Sequence, residues 1–301
     1  MTPNAIGMSL GLLGDEWNLL IIRACMNGTQ RYSQLQQALG IAPSVLSSRL
    51  AALTEAEVLH KVPAGGRFTY ALAPAGRDLW GLLLCIWAWE QRWVQGEALP
   101  TMRHLGCQEV FVPVLACRSC RSSVANTDVQ IELGPSGDLS RAIPTGSHRR
   151  RGGGSRAKGP GLFPETMALM GSRWSSALLG TAFLGVQRFS DFASALGAPP
   201  NIVSERLRIF VSLGVLDAGY SLTAKGRDFF PTLTMLVAWG ERWFPAAEGP
   251  ALIARHSACG KAFFPTLQCS SCQQEIHRAA LLIESPHRAP AMDAPGRPRA
   301  G

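Results

Sequence analysis

A mainly α fold with small β hairpins, built as two tandem copies of one domain, follows from three observations on the sequence. Trp17 recurs as Trp174, 157 positions on, and the same spacing relates Gly14 to Gly171, Gly28 to Gly185 and Gln30-Arg31 to Gln187-Arg188. Within each copy, apolar residues repeat at helical spacing between glycines placed to end helices. Each copy is then followed by the same His/Cys pattern. A period this long is a duplicated domain and not a solenoid, whose units run about 20–50 residues. The 301-residue length fits two domains of about 100–150 residues.

Each copy opens on an amphipathic stretch that the spacing predicts as helix. Leu12, Leu13, Trp17, Leu20, Ile21 and Ala24 carry it in the first copy, and Met170, Trp174, Ala177, Leu178 and Thr181 in the second. Gly28 and Gly185 stop these helices. A short helix over 33–39 follows, with Ser33 and Ser190 as N-caps and Gly40 and Gly197 at the ends. A turn containing Pro43, or Pro199-Pro200, leads into a third helix. There Leu46, Leu50 and Leu53 form a buried stripe, while Ser44, Ser47, Ser48 and Ala51 face away. Helix, glycine turn and exposed small-polar helix make the pattern of a helix-turn-helix.

Strand-like runs at 58–62 and 68–72 flank a turn at 63–67 with two glycines, which predicts a β-wing. The second copy is shorter here, since Tyr70 finds its match at Tyr220. After Gly76-Arg77-Asp78 and Gly226-Arg227-Asp228 comes a long apolar helix. Its stripe is Leu79, Leu83, Ile86, Trp89 and Trp93 in one copy, and Phe229, Leu233, Leu236, Trp239 and Trp243 in the other.

The ordered set Leu13-Gly14-Asp15-Glu16-Trp17, Gly28, Arg31-Tyr32-Ser33, Ser47-Ser48-Arg49-Leu50, Tyr70-Ala71-Leu72 and Gly76-Arg77-Asp78 resembles an HxlR-type winged helix-turn-helix transcriptional regulator, within the wider MarR-like group. The second copy repeats it as Met170-Gly171-Ser172-Arg173-Trp174, Arg188-Phe189-Ser190, Ser204-Glu205-Arg206-Leu207 and Gly226-Arg227-Asp228. The resemblance covers roughly 5–95 and 162–245. It implies a winged helix-turn-helix that dimerises and binds operator DNA. Many members sense electrophiles or oxidants through a cysteine ahead of the first helix. The matching positions here, Asn4 and Gly161, carry no thiol.

For DNA the candidates are Ser44, Ser47, Ser48 and Arg49 on the third helix with Arg67 on the wing, and Asn201, Ser204, Arg206 and Arg208 in the second copy. Short polar and arginine side chains on a helix read base edges in the major groove, and wing cations bind phosphate. The alternative is a plain polar face, with Arg49 and Arg206 paired to local carboxylates. The shortened second wing has no counterpart of Arg67.

After the long helix, His104, Cys107, Cys117 and Cys120 are spaced H-x2-C-x9-C-x2-C, and His256, Cys259, Cys269 and Cys272 repeat that spacing. Three thiolates and an imidazole within each copy suit a closed tetrahedral zinc site, so up to two structural zinc ions are expected. A redox-active thiol cluster and disulfides are the alternatives. Cys25 and Cys85 fall on apolar helices and read as core. His60, His148, His277 and His287 have no partner pattern.

Lys plus Arg number 29 against 21 acidic residues, a net charge of +8 with pI near 9.4. That balance favours a polyanionic partner. No apolar run approaches the roughly 18–20 residues of a membrane span, and no secretory leader is evident. A cytoplasmic protein is expected.

The predicted organisation is winged helix-turn-helix over 1–98, zinc-knuckle-like segment over 99–141 and basic linker over 142–161, with Arg149-Arg150-Arg151 at its centre. A second winged helix-turn-helix over 162–248, a second zinc-knuckle-like segment over 249–285 and a tail over 286–301 complete it. The expected function is sequence-specific transcriptional regulation, more often repression, by a single-chain pseudo-dimer. Double-stranded DNA is the expected partner. A small-molecule effector between the long helices and a second copy of the chain are admitted as further partners. The rivals are a protein-interaction or ligand/redox-sensing module whose second copy has lost DNA binding, and an enzyme. For the latter the sequence supplies no phosphate loop, no paired carboxylates and no histidine placed beside a nucleophile.

Overall fold

The computed structural model describes residues 2–28, 31–65, 67–94, 99–143, 163–172 and 174–284. The expected linker beyond Ile143, the tail from 285, and with them His148, Gly161 and His287, lie outside the described residues.

The opening stretch is two helices, not one. Helix α1 (Ala5–Leu13) and helix α2 (Glu16–Met26) meet at an angle of 79°. The break falls where the sequence allows it: Asp15 is extended and caps α2 by accepting from the Asn18 N–H at 3.2 Å. A helical period runs through the bend because both helices turn apolar residues to one core, Leu10 and Leu13 on one side and Leu19, Ile21 and Ile22 on the other.

Helix α3 (Tyr32–Leu39) starts one residue before Ser33, so the predicted cap is displaced. Arg31 occupies the cap position in an extended conformation, and the Gln34 side chain accepts from its N–H at 3.2 Å. Gln34, three positions on, can reach back to that N–H, whereas Ser33 already lies inside the helix. Gly40 ends α3 at φ 59°, the left-handed conformation that glycine adopts without strain.

Helix α4 (Pro43–Glu55) buries Leu46, Leu50 and Leu53, as its period predicts. Strands β1 (Leu59–Ala64) and β2 (Arg67–Leu72) form an antiparallel wing with Leu59 opposite Leu72. Helices α5 (Pro74–Asp78) and α6 (Trp80–Trp93) follow, then strands β3 (Thr101–His104), β4 (Glu109–Val110), β5 (Pro113–Cys117) and β6 (Val129–Leu133).

The second copy runs α7 (Pro164–Met170), α8 (Ser175–Phe183), α9 (Phe189–Leu196), α10 (Pro200–Ser212), α11 (Ala224–Arg227) and α12 (Phe230–Trp243), then strands β7 (Leu252–His256), β8 (Pro265–Cys269) and β9 (Leu281–Glu284). As in the first copy, the cap of α9 is Arg188 rather than Ser190, whose hydroxyl donates to Asp191. The wing is reduced to a single bridge between Leu216 and Leu222. Its turn is closed by Asp217 Oδ1, which accepts from the N–H groups of Gly219 and Ser221.

The two copies interlock through contacts that come in reciprocal pairs. Helix α1 lies on α12 at Gly240, where a Cβ would come within 2.1 Å of Ser9 Oγ. Helix α7 lies on α6, where buried Glu90 accepts from the Thr166 N–H at 2.7 Å. Trp89 Nε1 donates to Lys225 O and Trp239 Nε1 to Ala75 O. Trp93 Nε1 donates to Asp228 and Trp243 Nε1 to Asp78, each at 3.0 Å. All the strands after the long helices except β4, which pairs with β3, also pair across the copies: β3 with β9, β5 with β8, and β6 with β7, each antiparallel. When contact i to j is matched by its mirrored counterpart, the surface is of the kind that two identical subunits share about a two-fold axis. Among the described residues no single helix is long and apolar enough to cross a membrane.

Candidate nucleic-acid interface and metal centres

Helices α4 and α10 have the same length and the same two faces. Buried Leu46, Leu50 and Leu53 are answered by buried Val203, Leu207 and Phe210. Opposite them Ser44, Ser47 and Ser48 are exposed on α4, and Asn201, Ser204 and Arg208 on α10. The Tyr32 hydroxyl lies 3.2 Å from Ser47 Oγ and 2.9 Å from Pro43 O, tying the start of α4 to α3. Arg67 opens β2 at the tip of the first wing, opposite Ala64, and Lys61 and Val62 are exposed further along β1.

The two recognition-helix arginines are already engaged. Arg49 Nη2 lies 2.8 Å from Asp15 Oδ2, with the carboxylate only 7 % exposed. Arg206 pairs with its own neighbour Glu205 at 3.3 Å. The local-carboxylate alternative describes both. Asp15 was missed as a functional partner. Its signal was an acidic residue just before a helix, where a cap belongs, facing an arginine two helices away.

The eight predicted ligands do come together, but not in the expected quartets. His104 and Cys107 meet Cys269 and Cys272, while His256 and Cys259 meet Cys117 and Cys120. The strands explain the crossing. Pairing of β5 with β8 sets Pro113 opposite Cys269 and Cys117 opposite Pro265, so each C-x2-C turn is carried to the other copy's H-x2-C turn.

All four turns share one local geometry. The N–H four residues on bonds back to the first ligand's carbonyl: Gln108 to His104, Arg121 to Cys117, Gly260 to His256 and Gln273 to Cys269, at 2.7–2.9 Å. The donors all have φ between 59° and 67°. A non-glycine residue held there costs about 1–2 kcal/mol, and three of the four are not glycine, so something must repay that strain.

The ligand atoms fit a metal. In a tetrahedron with bonds of about 2.3 Å to sulfur and 2.0–2.1 Å to nitrogen, ligand atoms stand about 3.5–3.8 Å apart. Cys107 Sγ lies 3.8 Å from Cys269 Sγ and 3.5 Å from His104 Nδ1, and Cys272 Sγ lies 3.4 Å from that nitrogen. In the other cluster Cys117 Sγ to Cys259 Sγ is 4.0 Å, and Cys120 and Cys259 lie 3.3 and 3.4 Å from His256 Nδ1. These sulfur separations are about twice a disulfide bond. Hydrogen bonds from the Ser122 backbone and then its hydroxyl hold the Cys120 thiol down to about 6, whereas burial and neighbouring thiols shift Cys107 and Cys259 upward. At Cys25 and Cys85 burial pushes both thiols up to about 12, as expected of core residues.

Two helix-turn-helix heads, each exposing a polar helix and the first carrying a wing, are the arrangement of a DNA-binding protein of the transcription-regulator class. The HxlR-like helix-turn-helix family matches residues 12–98 and 169–248, more than half of the sequence, and the chain belongs to that family. It is similar to an uncharacterized HTH-type transcriptional regulator of Mycobacterium tuberculosis, 39 % identical over 122 residues that span 37 % of this chain and 77 % of the relative. A second relative is the uncharacterized HTH-type transcriptional regulator YvaP of Bacillus subtilis, 30 % identical over 97 residues, 30 % of this chain and 88 % of the relative. Among solved structures, PA1607, described as a candidate transcription factor, is 33 % identical over 31 % of this chain and 69 % of its own, with a TM-score of 0.29.

Proposed function

We propose that the chain is a sequence-specific DNA-binding repressor that acts as a single-chain pseudo-dimer. The observation that carries this reading is the reciprocal packing of the copies, which supplies within one polypeptide the two-fold arrangement that such regulators reach by pairing subunits. On this reading Ser44, Ser47 and Ser48 with Asn201, Ser204 and Arg208 meet base edges, and Arg67 meets phosphate. Arg49 positions α4 through Asp15, while Arg206 pairs within its own helix. One structural zinc in each crossed quartet clasps the copies together. All four positions at each zinc are protein ligands, which leaves none for a substrate and makes the proposed zinc structural rather than catalytic. Reduced thiols suit a cytoplasmic setting.

Mobility shifts against genomic fragments test the reading. A bound site should contain two half-sites about 10 base pairs, or a multiple, apart. Arg67→Ala should weaken binding to all sequences alike and reduce the salt slope by about one unit. A chain that binds no fragment, with its zinc intact, would remove the regulator reading.

A second reading is favoured by the reduced wing at Leu216 and Leu222. In it only the first copy grips DNA, and the second pairs or senses. A protected footprint covering one half-site instead of two would select it.

A further inference from the structure

The second copy is hollow where the first is filled. A cavity of about 730 Å³ lies between α8, α12 and the paired strands β6 and β7. Ala177, Gly180, Thr234 and Val237 line it, at positions where the first copy carries Leu20, Arg23, Leu84 and Trp87. In the first copy Leu20, Leu84 and Trp87 are buried. Trp87 Nε1 donates to Pro100 O at 2.8 Å; at the position matching Pro100 the second copy has Leu252, which lines the cavity. Four reductions in side-chain size, all on one side of the duplication and all facing one space, account for the opening. It is not an enclosed void but opens to solvent past exposed Ile253 and Phe264. A space of this size falls within the range of ligand pockets, about 300–1,000 Å³.

We propose that this cavity is a binding site for an uncharged, predominantly apolar small molecule. The walls are aromatic and aliphatic, with Phe183, Phe230 and Phe263 among them. The charged groups at its edge are largely satisfied within the protein. Asp78 takes Arg242 and the Trp243 N–H, and Glu241 accepts from the Ala251 N–H at 2.7 Å. Arg118 stands exposed to solvent. No ionic group is therefore required of the ligand. The chain's own linker is a poor occupant, since residues 144–161 offer one apolar side chain apart from proline, Ala157. The site stands independently of the DNA reading.

Titration of the full chain with the neutral fluorophore N-phenyl-1-naphthylamine tests the proposal without DNA. Saturable one-to-one binding with a dissociation constant on the order of micromolar is expected. The double substitution Thr234→Leu/Val237→Trp, which restores the first copy's residues, should weaken it roughly tenfold or more while the thermal midpoint is kept or raised. Should the double variant fail to fold, Thr234→Leu alone should weaken binding roughly threefold. Absence of saturable binding, unchanged affinity in the variant that folds, or a gain in affinity on deleting residues 144–161 would each overturn the proposal.

Discussion

Arg49 holds a carboxylate that has little access to water: Asp15 is 7 % exposed and also caps α2. Truncating the arginine removes the ion pair from a largely buried carboxylate that keeps its cap on α2, which costs about 1–3 kcal/mol. Arg49→Ala should therefore lower the urea-unfolding free energy by about that amount, and a loss below about 1 kcal/mol would remove the structural role assigned to it. Ser48, exposed on the same helix, should behave in the opposite way. Ser48→Ala is expected to leave stability within about 0.5 kcal/mol and to change base preference at one position by about 1–3 kcal/mol, read by competition binding. In the second copy Ser172 stands where the first has Asp15, and Arg206 turns to half-exposed Glu205. Such a pair is worth about 0–1 kcal/mol, so Arg206→Ala should be the milder change. The sequence marked both arginines, but not which of them had a buried partner, because that pairing is made by the bend between α1 and α2.

At the scale of elements, periodicity and spacing carried the prediction of α4, α10, the first wing and the long helices, because each is dictated by neighbours within a few residues. What they could not carry was association between turns. The H-x2-C-x9-C-x2-C spacing picked out the eight His and Cys side chains that converge, yet it placed each quartet inside one copy. A spacing tells which residues share a turn; which turn stands opposite depends on the exchange of β5 and β8. The crossing makes a distinctive prediction for the proposed zinc. Cys107→Ser with Cys272→Ser removes two ligands from one crossed quartet and none from the other, so the protein should retain about one zinc per chain. Cys107→Ser with Cys120→Ser takes one ligand from each and should weaken both ions, whereas quartets confined to each copy would leave one intact. Metal analysis after dialysis against a mild chelator separates the outcomes.

At the scale of the molecule, duplication was legible in the sequence and interlocking was not. A repeat shows that two copies exist; only the exchange of α1 onto α12, α7 onto α6, and three strand pairs shows that neither copy completes its own fold. Trp89 and Trp239 seal the centre by donating into opposite copies, and Gly240 admits α1 so closely that no larger residue fits. The connection between copies should therefore matter for concentration and not for shape. A linker holds its two ends at an effective concentration in the millimolar range, which keeps the intact chain in its two-headed form at any dilution. Produced as two polypeptides, 1–150 and 155–301, the halves should co-purify at one to one through a tag on either. They should bind the same DNA as the intact chain, but with an affinity that falls on dilution, while the intact chain shows no such dependence. Halves that elute separately at micromolar concentration, each folded, would mean that the reciprocal contacts are incidental and that the two heads are set by the linker alone.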